Sequence, residues 1–290
     1  MKHIVVISGK GGTGKTTLTA SFCALAGKSV IVDCDVDAAD MHLLLHPQVK
    51  QRENFSGGKY AVIDSSKCVG CGKCREVCRF DAIGPDFREV PFSCEGCGLC
   101  ARVCPSGAIQ MADRMSGKWF VSETKYGTLV HAELGIGEEN SGKLVSKIKE
   151  AAFDIATNSR AEWVIADGPP GTGCPVMASL AGANMAIVVT EPTLSAMHDM
   201  KRAIETASHF KIPSAIIVNK WDLNENNTAE IERFCVESKA VALGRISFNQ
   251  AASEAVAAGV PLVEYGNKQL AWEISAIWEK ICAAKMAEVR

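Results

Sequence analysis

The stretch that most restricts this chain is HIVVISGKGGTGKT, residues 3–16. HIVVIS (3–8) is a short apolar, largely β-branched run that reads as a buried strand and stops at glycine. GKGGTGKT (9–16) then satisfies G-x-x-x-x-G-K-[ST], between that strand and a helix expected over 15–26. Loops of this kind bind phosphate through backbone N–H groups and the favourable end of the helix dipole. Gly9, Gly11, Gly12, Thr13, Gly14, Lys15, Thr16 and Thr17 are therefore candidate nucleotide-binding residues. Lys15 is directed at the β- and γ-phosphates and Thr16 at Mg²⁺. Gly9, Gly11 and Gly14 also spell G-x-G-x-x-G, with Asp33 lying 19 residues further on, as in a dinucleotide fold. The adjoining Lys15-Thr16 favours the mononucleotide reading, because a dinucleotide fingerprint needs neither.

The rest of the chain alternates in the same way. Strands are expected at SVIVD (29–33), WFV, TLVHA, WVIAD (163–167), MAIVVT (185–190), SAIIVN (214–219) and VALGRI (241–246). Helices are expected over 141–157, near 194–210, near 228–238 and over 270–281. This rhythm predicts an α/β fold: a mostly parallel P-loop NTPase sheet with helices on both faces, binding ligands at the carboxyl ends of its strands.

Residues 59–112 break the rhythm, so the chain divides into a phosphate-loop nucleotide-binding domain over 1–58 and 113–290 and an insert over 59–112. The insert is a repeat: Cys68–Ile83 aligns with Cys94–Ile109 at an offset of 26, with 9 of 16 positions identical. Cys68, Cys71, Cys74 and Cys78 form C-x2-C-x2-C-x3-C, and Cys94, Cys97, Cys100 and Cys104 repeat it before Pro105. This is the spacing of two-cluster bacterial ferredoxins, in which the fourth cysteine of each run serves the other cluster. One [4Fe-4S] cluster is thus expected on Cys68, Cys71, Cys74 and Cys104, the other on Cys94, Cys97, Cys100 and Cys78. Cys71, Cys74, Cys94 and Cys97 alone would fit a zinc ribbon, but that leaves four regularly placed cysteines unexplained. Arg79 stands where the second copy has Pro105, putting a cation beside Cys78.

Thirteen cysteines without an export signal point to a reducing cytoplasm and metal or redox chemistry. A formal charge of −2 gives no electrostatic argument for nucleic acid, and no apolar run is long enough for a membrane span.

Lys10 makes the loop K-G-G-x-G-K-T, the deviant phosphate loop of the MinD superfamily. DCDVDAAD (33–40) resembles the first switch of that superfamily, and DGPPGTG (167–173) its second. Outside 59–112 the chain resembles a MinD-superfamily ATPase, related to the Mrp-type scaffolds and the nitrogenase iron protein. The resemblance implies a nucleotide-sandwich dimer, homomeric or with a related ATPase, in which Lys10 reaches the partner's nucleotide. It also implies that Asp35 positions the attacking water, that Asp167 holds Mg²⁺ through water, and that ATP is bound with Asn219 on the adenine amino group. VNKWD (218–222) contains a literal N-K-x-D, whose Asp222 would instead suit guanine.

Cys174 follows the second switch where the iron protein carries one cluster cysteine, but no match for the second cysteine appears. Mrp-type scaffolds use a C-x-x-C in the ATPase body, which is lacking here. Together these features predict an ATPase that couples nucleotide to iron–sulfur electron transfer toward a redox or metallocluster protein. The competing expectation is a cluster assembly or carrier ATPase. The last helix places Leu270, Ile274, Ile277 and Ile281 on one stripe with little positive charge beside it, which favours core packing over membrane binding.

Overall fold

The computed structural model describes residues 1–284 except 136, 137, 139 and 140. Its elements in chain order are β1 (Lys2–Ser8), α1 (Lys15–Ala26), β2 (Ser29–Asp33), α2 (Met41–Leu45), β3 (Gln48–Ile63), α3 (Lys73–Glu76) and α4 (Leu99–Val103). They continue with β4 (Ile109–Thr124), β5 (Gly127–Leu134), α5 (Ser141–Ser159), β6 (Trp163–Pro170), α6 (Cys174–Leu180), β7 (Met185–Thr190) and α7 (Leu194–His209). The last are β8 (Ser214–Asn219), α8 (Glu225–Ser238), β9 (Val241–Ile246), α9 (Ala251–Ala257) and α10 (Lys268–Ala283). Two compact units result. One comprises Met1–Arg52, Trp119–Ala132 and Ser141–Arg290; the other comprises Glu53–Lys118 and Glu133–Asn140.

In the first unit the strand order is β5-β2-β6-β1-β7-β8-β9. Each of these neighbours pairs in parallel. β2 and β7 are buried along their whole length, as strands covered on both faces must be. On one face Ile4, Val6, Ile31, Ile165 and Ile187 pack with Leu18 and Phe22 of α1 and with Leu270, Ile274, Ile277 and Ile281 of α10. Phe22 stacks on Trp278, ring centroids 5.7 Å apart, and Trp163 lies 4.9 Å from the same ring. The apolar stripe of α10 is therefore core. Each fully buried side chain of this size contributes about 1.5–3 kcal/mol. Thr193, Asn224 and Asn267 cap α7, α8 and α10 by accepting from Ala196, Asn227 and Leu270 backbone N–H groups. Register decides the site: Asp167 of β6 stands opposite both Val6 of β1 and Asp33 of β2.

In the second unit β3 and β4 are neighbours. A small core of Ala61, Cys74, Ile83, Cys100 and Ile109 packs with α3 and α4. The repeat is visible in the backbone. Gly70 and Gly96 have φ of 67° and 65°, and Gly72 and Gly98 of 77° and 71°, each matched pair offset by 26 residues. These left-handed turns tolerate little besides glycine. The structure differs from the sequence reading in having long strands here: β3 and β4 are 16 residues each and enter the 59–112 segment at both ends. QVKQRENFSGGKYAVI of β3 is mostly polar and exposed, so it carries no hydrophobic alternation to announce a strand. Among the described residues, no helix is long and apolar enough to cross a membrane.

Candidate nucleotide and metallocluster sites

The carboxyl ends of β1, β2, β6, β7 and β8 supply the first site. The Ser8 hydroxyl donates to the Lys10 carbonyl at 2.8 Å, turning the loop as it leaves β1. Gly9 is required by close approach: a Cβ there would collide with the backbone and side chain of Asp199. Gly14, in the left-handed region at φ 86°, starts α1, and a Cβ on it would stand 2.5 Å from Asn219 Nδ2.

Asp167 organises the centre. Its Oδ2 accepts from Lys15 Nζ at 2.8 Å and from Thr16 Oγ1 at 2.7 Å, and its Oδ1 from Thr19 Oγ1 at 2.7 Å. Thr19 lies one turn beyond Lys15 on α1, a partner that motif matching passes over because helical i+4 spacing, not the motif, places it. Asp35 Oδ2 is 3.9 Å from Lys15 Nζ. Burial works against the Lys15 charge, but Asp167, with Asp33 and Asp35, more than offsets it and holds the ammonium above its ordinary pKa. Burial, then the Asp167 charge, pushes Asp33 well up, while its oxygens accept from the backbone N–H groups of Asp35 and Met41. Asp33 thus shapes the loop ahead of α2. Burial likewise raises Asp35 to about 6, with Lys15 opposing the shift.

Lys10 Nζ stands 3.4 Å from Glu191, whose other oxygen takes Lys220 at 2.5 Å. Glu191 follows β7 directly; its position past a strand's carboxyl end, shared with Asp35, was the signal available for it. A cavity of about 320 Å³ beside the loop is lined by Gly12, Gly14, Thr17, Asn219, Phe248 and Leu270 among others. Asn219 Nδ2 donates to the Thr13 carbonyl at 2.8 Å, and its Oδ1 accepts from Lys220 N–H at 3.0 Å. Asp222 accepts from the Phe248 N–H at 2.7 Å and is not among the lining residues. The Thr13 hydroxyl is buried without a hydrogen-bond partner among the described residues, an unsatisfied donor inside a phosphate loop.

In the second unit the eight cysteines sort into two sets. Cys68, Cys71, Cys74 and Cys104 line one cavity with Ser106. Cys78, Cys94, Cys97 and Cys100 line another with Phe80 and Leu99. Each set takes three thiols from one copy of the repeat and the fourth from the other. No group of three or more His, Cys, Asp or Glu side chains among the described residues is placed to hold a metal ion; the cysteines of each set are among the residues lining one cavity. The remaining cysteines are dispersed: Cys23, Cys34 and Cys235 are buried, Cys282 is exposed, and Cys174 is exposed at the start of α6.

Residues 4–262 match the family described as the CobQ/CobB/MinD/ParA nucleotide binding domain. An uncharacterized protein of Methanocaldococcus jannaschii is 40% identical over 229 residues, covering 77% of this chain and 80% of that protein. An iron-sulfur cluster carrier protein of Pyrococcus abyssi is 24% identical over 299 residues, covering 96% of this chain and 84% of that protein. Among solved structures, the cell division ATPase MinD of Pyrococcus furiosus has a TM-score of 0.61 at 16% identity, covering 97% of this chain and 98% of that one. That likeness is one of fold.

Proposed function

Because the chain belongs to the CobQ/CobB/MinD/ParA nucleotide-binding family, we propose that it hydrolyses MgATP as a nucleotide-dependent dimer and couples that cycle to electron transfer through two [4Fe-4S] clusters. The observation that carries the redox half is the sorting of eight cysteines into two sets of four, each around its own cavity. A single structural zinc needs four thiolates, so it would leave four of the eight regularly repeated cysteines without a role. Four thiols per set match the ligand number a [4Fe-4S] cluster would need, and two sets of four would serve two clusters. Cys68, Cys71, Cys74 and Cys104 would hold one cluster, and Cys78, Cys94, Cys97 and Cys100 the other. When bound, the clusters supply one-electron chemistry.

At the nucleotide, the loop amides and the start of α1 hold phosphate. Lys15, resting on Asp167 at 2.8 Å, transfers to the β- and γ-phosphates. Thr16 and Asp167, oxygen donors 2.7 Å apart, suit a hard cation such as Mg²⁺. Asp35 orients the attacking water. Lys10 leaves Glu191 and neutralises charge on the partner subunit's transferring phosphoryl group, as an arginine finger does. ATP biases the clusters to the extent that it binds two conformations unequally.

A second reading, delivery of a nascent cluster to another protein, is supported by the similarity to the Pyrococcus abyssi carrier protein. Anaerobic purification separates the two. The redox reading expects about eight irons per chain, no stoichiometric zinc, and clusters that stay bound while MgATP alters their potential or rate of oxidation. Iron passing to an apo acceptor protein, with loss of the donor's cluster spectrum, replaces it with the carrier reading. One zinc and little iron removes both.

A further inference from the structure

The two cysteine cavities are related by the 26-residue repeat, and at one of the positions where the copies differ a hydroxyl lies against a cysteine sulfur. Residue 106 follows Cys104 by two, and residue 80 follows Cys78 by two. In the first copy this position is Phe80, 44% exposed, on the cavity of Cys78, Cys94, Cys97 and Cys100. In the second it is Ser106, half-buried, on the cavity of Cys68, Cys71, Cys74 and Cys104. The Ser106 Oγ lies 3.6 Å from Cys104 Sγ, within hydrogen-bond reach of sulfur. Cys78 Sγ accepts from the Ala82 backbone N–H at 3.4 Å, but Phe80 offers it no hydroxyl.

A ferredoxin cluster gains negative charge when it takes up an electron. A hydrogen bond to a ligand sulfur therefore favours the reduced form and raises the potential. Arg79, beside Cys78, acts in the opposite sense on the difference between the clusters, but its side chain is exposed and screened by water and salt. Ser106 is half-buried, where a hydrogen bond is electrostatically stronger.

Resting on the proposal that these cavities hold two [4Fe-4S] clusters, we infer that Ser106 is a tuning residue: its hydroxyl donates to the Cys104 sulfur and makes that cluster the more easily reduced of the two. With Cys68, Cys71, Cys74 and Cys104 holding the higher-potential cluster, the singly reduced protein would carry its electron on the Ser106 side. The external donor in the test is dithionite.

Potentiometric titration of the anaerobic holoprotein with dithionite, followed by EPR, tests this. Wild type gives two midpoints. Ser106→Ala lowers the higher one by the equivalent of about tenfold in the reduction equilibrium, 59 mV for a one-electron couple, and leaves the lower in place. Phe80→Ser, which installs the hydroxyl in the other copy, raises the lower midpoint toward the higher and keeps the proposal testable where Ser106→Ala loses iron. Movement of the lower midpoint in Ser106→Ala, unchanged midpoints in both variants, or a single midpoint in wild type overturns the assignment while leaving the two-cluster reading intact. Absence of iron from wild type overturns that reading and this inference with it.

Discussion

Replacing Lys10 by alanine separates folding from chemistry, because the structure assigns the residue little of the first. Its side chain is 34% exposed, and among the described residues its ion pair is to Glu191 at 3.4 Å. Glu191 retains Lys220 at 2.5 Å, so the variant leaves no carboxylate unpaired. Partly exposed pairs of this kind are worth about 0–1 kcal/mol, which in a chain of this length is a change in Tm of about 2 °C or less. The phosphate grip also survives, since Lys15, Thr16 and the loop backbone are separate from Lys10. Nucleotide affinity is therefore expected to change only a few-fold. Hydrolysis is expected to fall by about 10³–10⁵, the worth of a cation supplied in trans in related phosphoryl transfer. That corresponds to about 4–7 kcal/mol of transition-state stabilisation, several times the stability term. The assay is phosphate release at saturating MgATP, run beside a fluorescent-nucleotide titration, a thermal melt and a sedimentation measurement of the nucleotide-bound dimer. Hydrolysis within about threefold of wild type would refute the reasoning and leave Lys10 as a partner of Glu191 alone. A rate that fell only in proportion to nucleotide affinity would do so too, since it would place Lys10 in ground-state binding.

Three further outcomes follow from the same geometry. Burial raises Asp35 to about 6, so between about pH 4 and pH 6 the folded chain keeps a proton that the unfolded chain has lost, and stability falls as pH rises through that window. Asp35→Asn is expected to stabilise the nucleotide-free protein at pH 8 and to lose that advantage by about pH 4; an equal gain in urea melts at both pH values contradicts the assignment. Cys174→Ser is expected to leave iron content unchanged, since Cys174 is exposed on α6 and lines neither cysteine cavity, and a loss of about four irons per dimer would point to a bridging cluster instead. ATP is expected to outcompete GTP in a competition titration, because the Asp222 carboxylate that would read guanine accepts from the Phe248 N–H at 2.7 Å; tighter binding of GTP would show that this bond yields to the base.

The sequence by itself determined whatever depends on local pattern. Strands such as SVIVD and MAIVVT were legible because burial on both faces demands unbroken apolar runs, and 15–26 was legible as a helix because a phosphate loop must open one. The spacing of the cysteines, on the two-cluster ferredoxin pattern, suggested two sets that each take a fourth member from the other run, and the same two sets recur among the residues lining two separate cavities. What the tertiary structure decided were pairings between residues far apart in the chain. Asp33 faces Asp167 because β2 and β6 pair in one particular register, and a strand's own sequence says which face is buried but not which neighbour it meets. Glu191 gathers Lys10 and Lys220 because the ends of β1, β7 and β8 lie side by side. Asn219 and Asp222, whose motif suggested base recognition, hold the Thr13 carbonyl and the Phe248 amide; a side chain's polarity marks it as a hydrogen-bonding group, but only the folded backbone around it decides which donor or acceptor lies within reach.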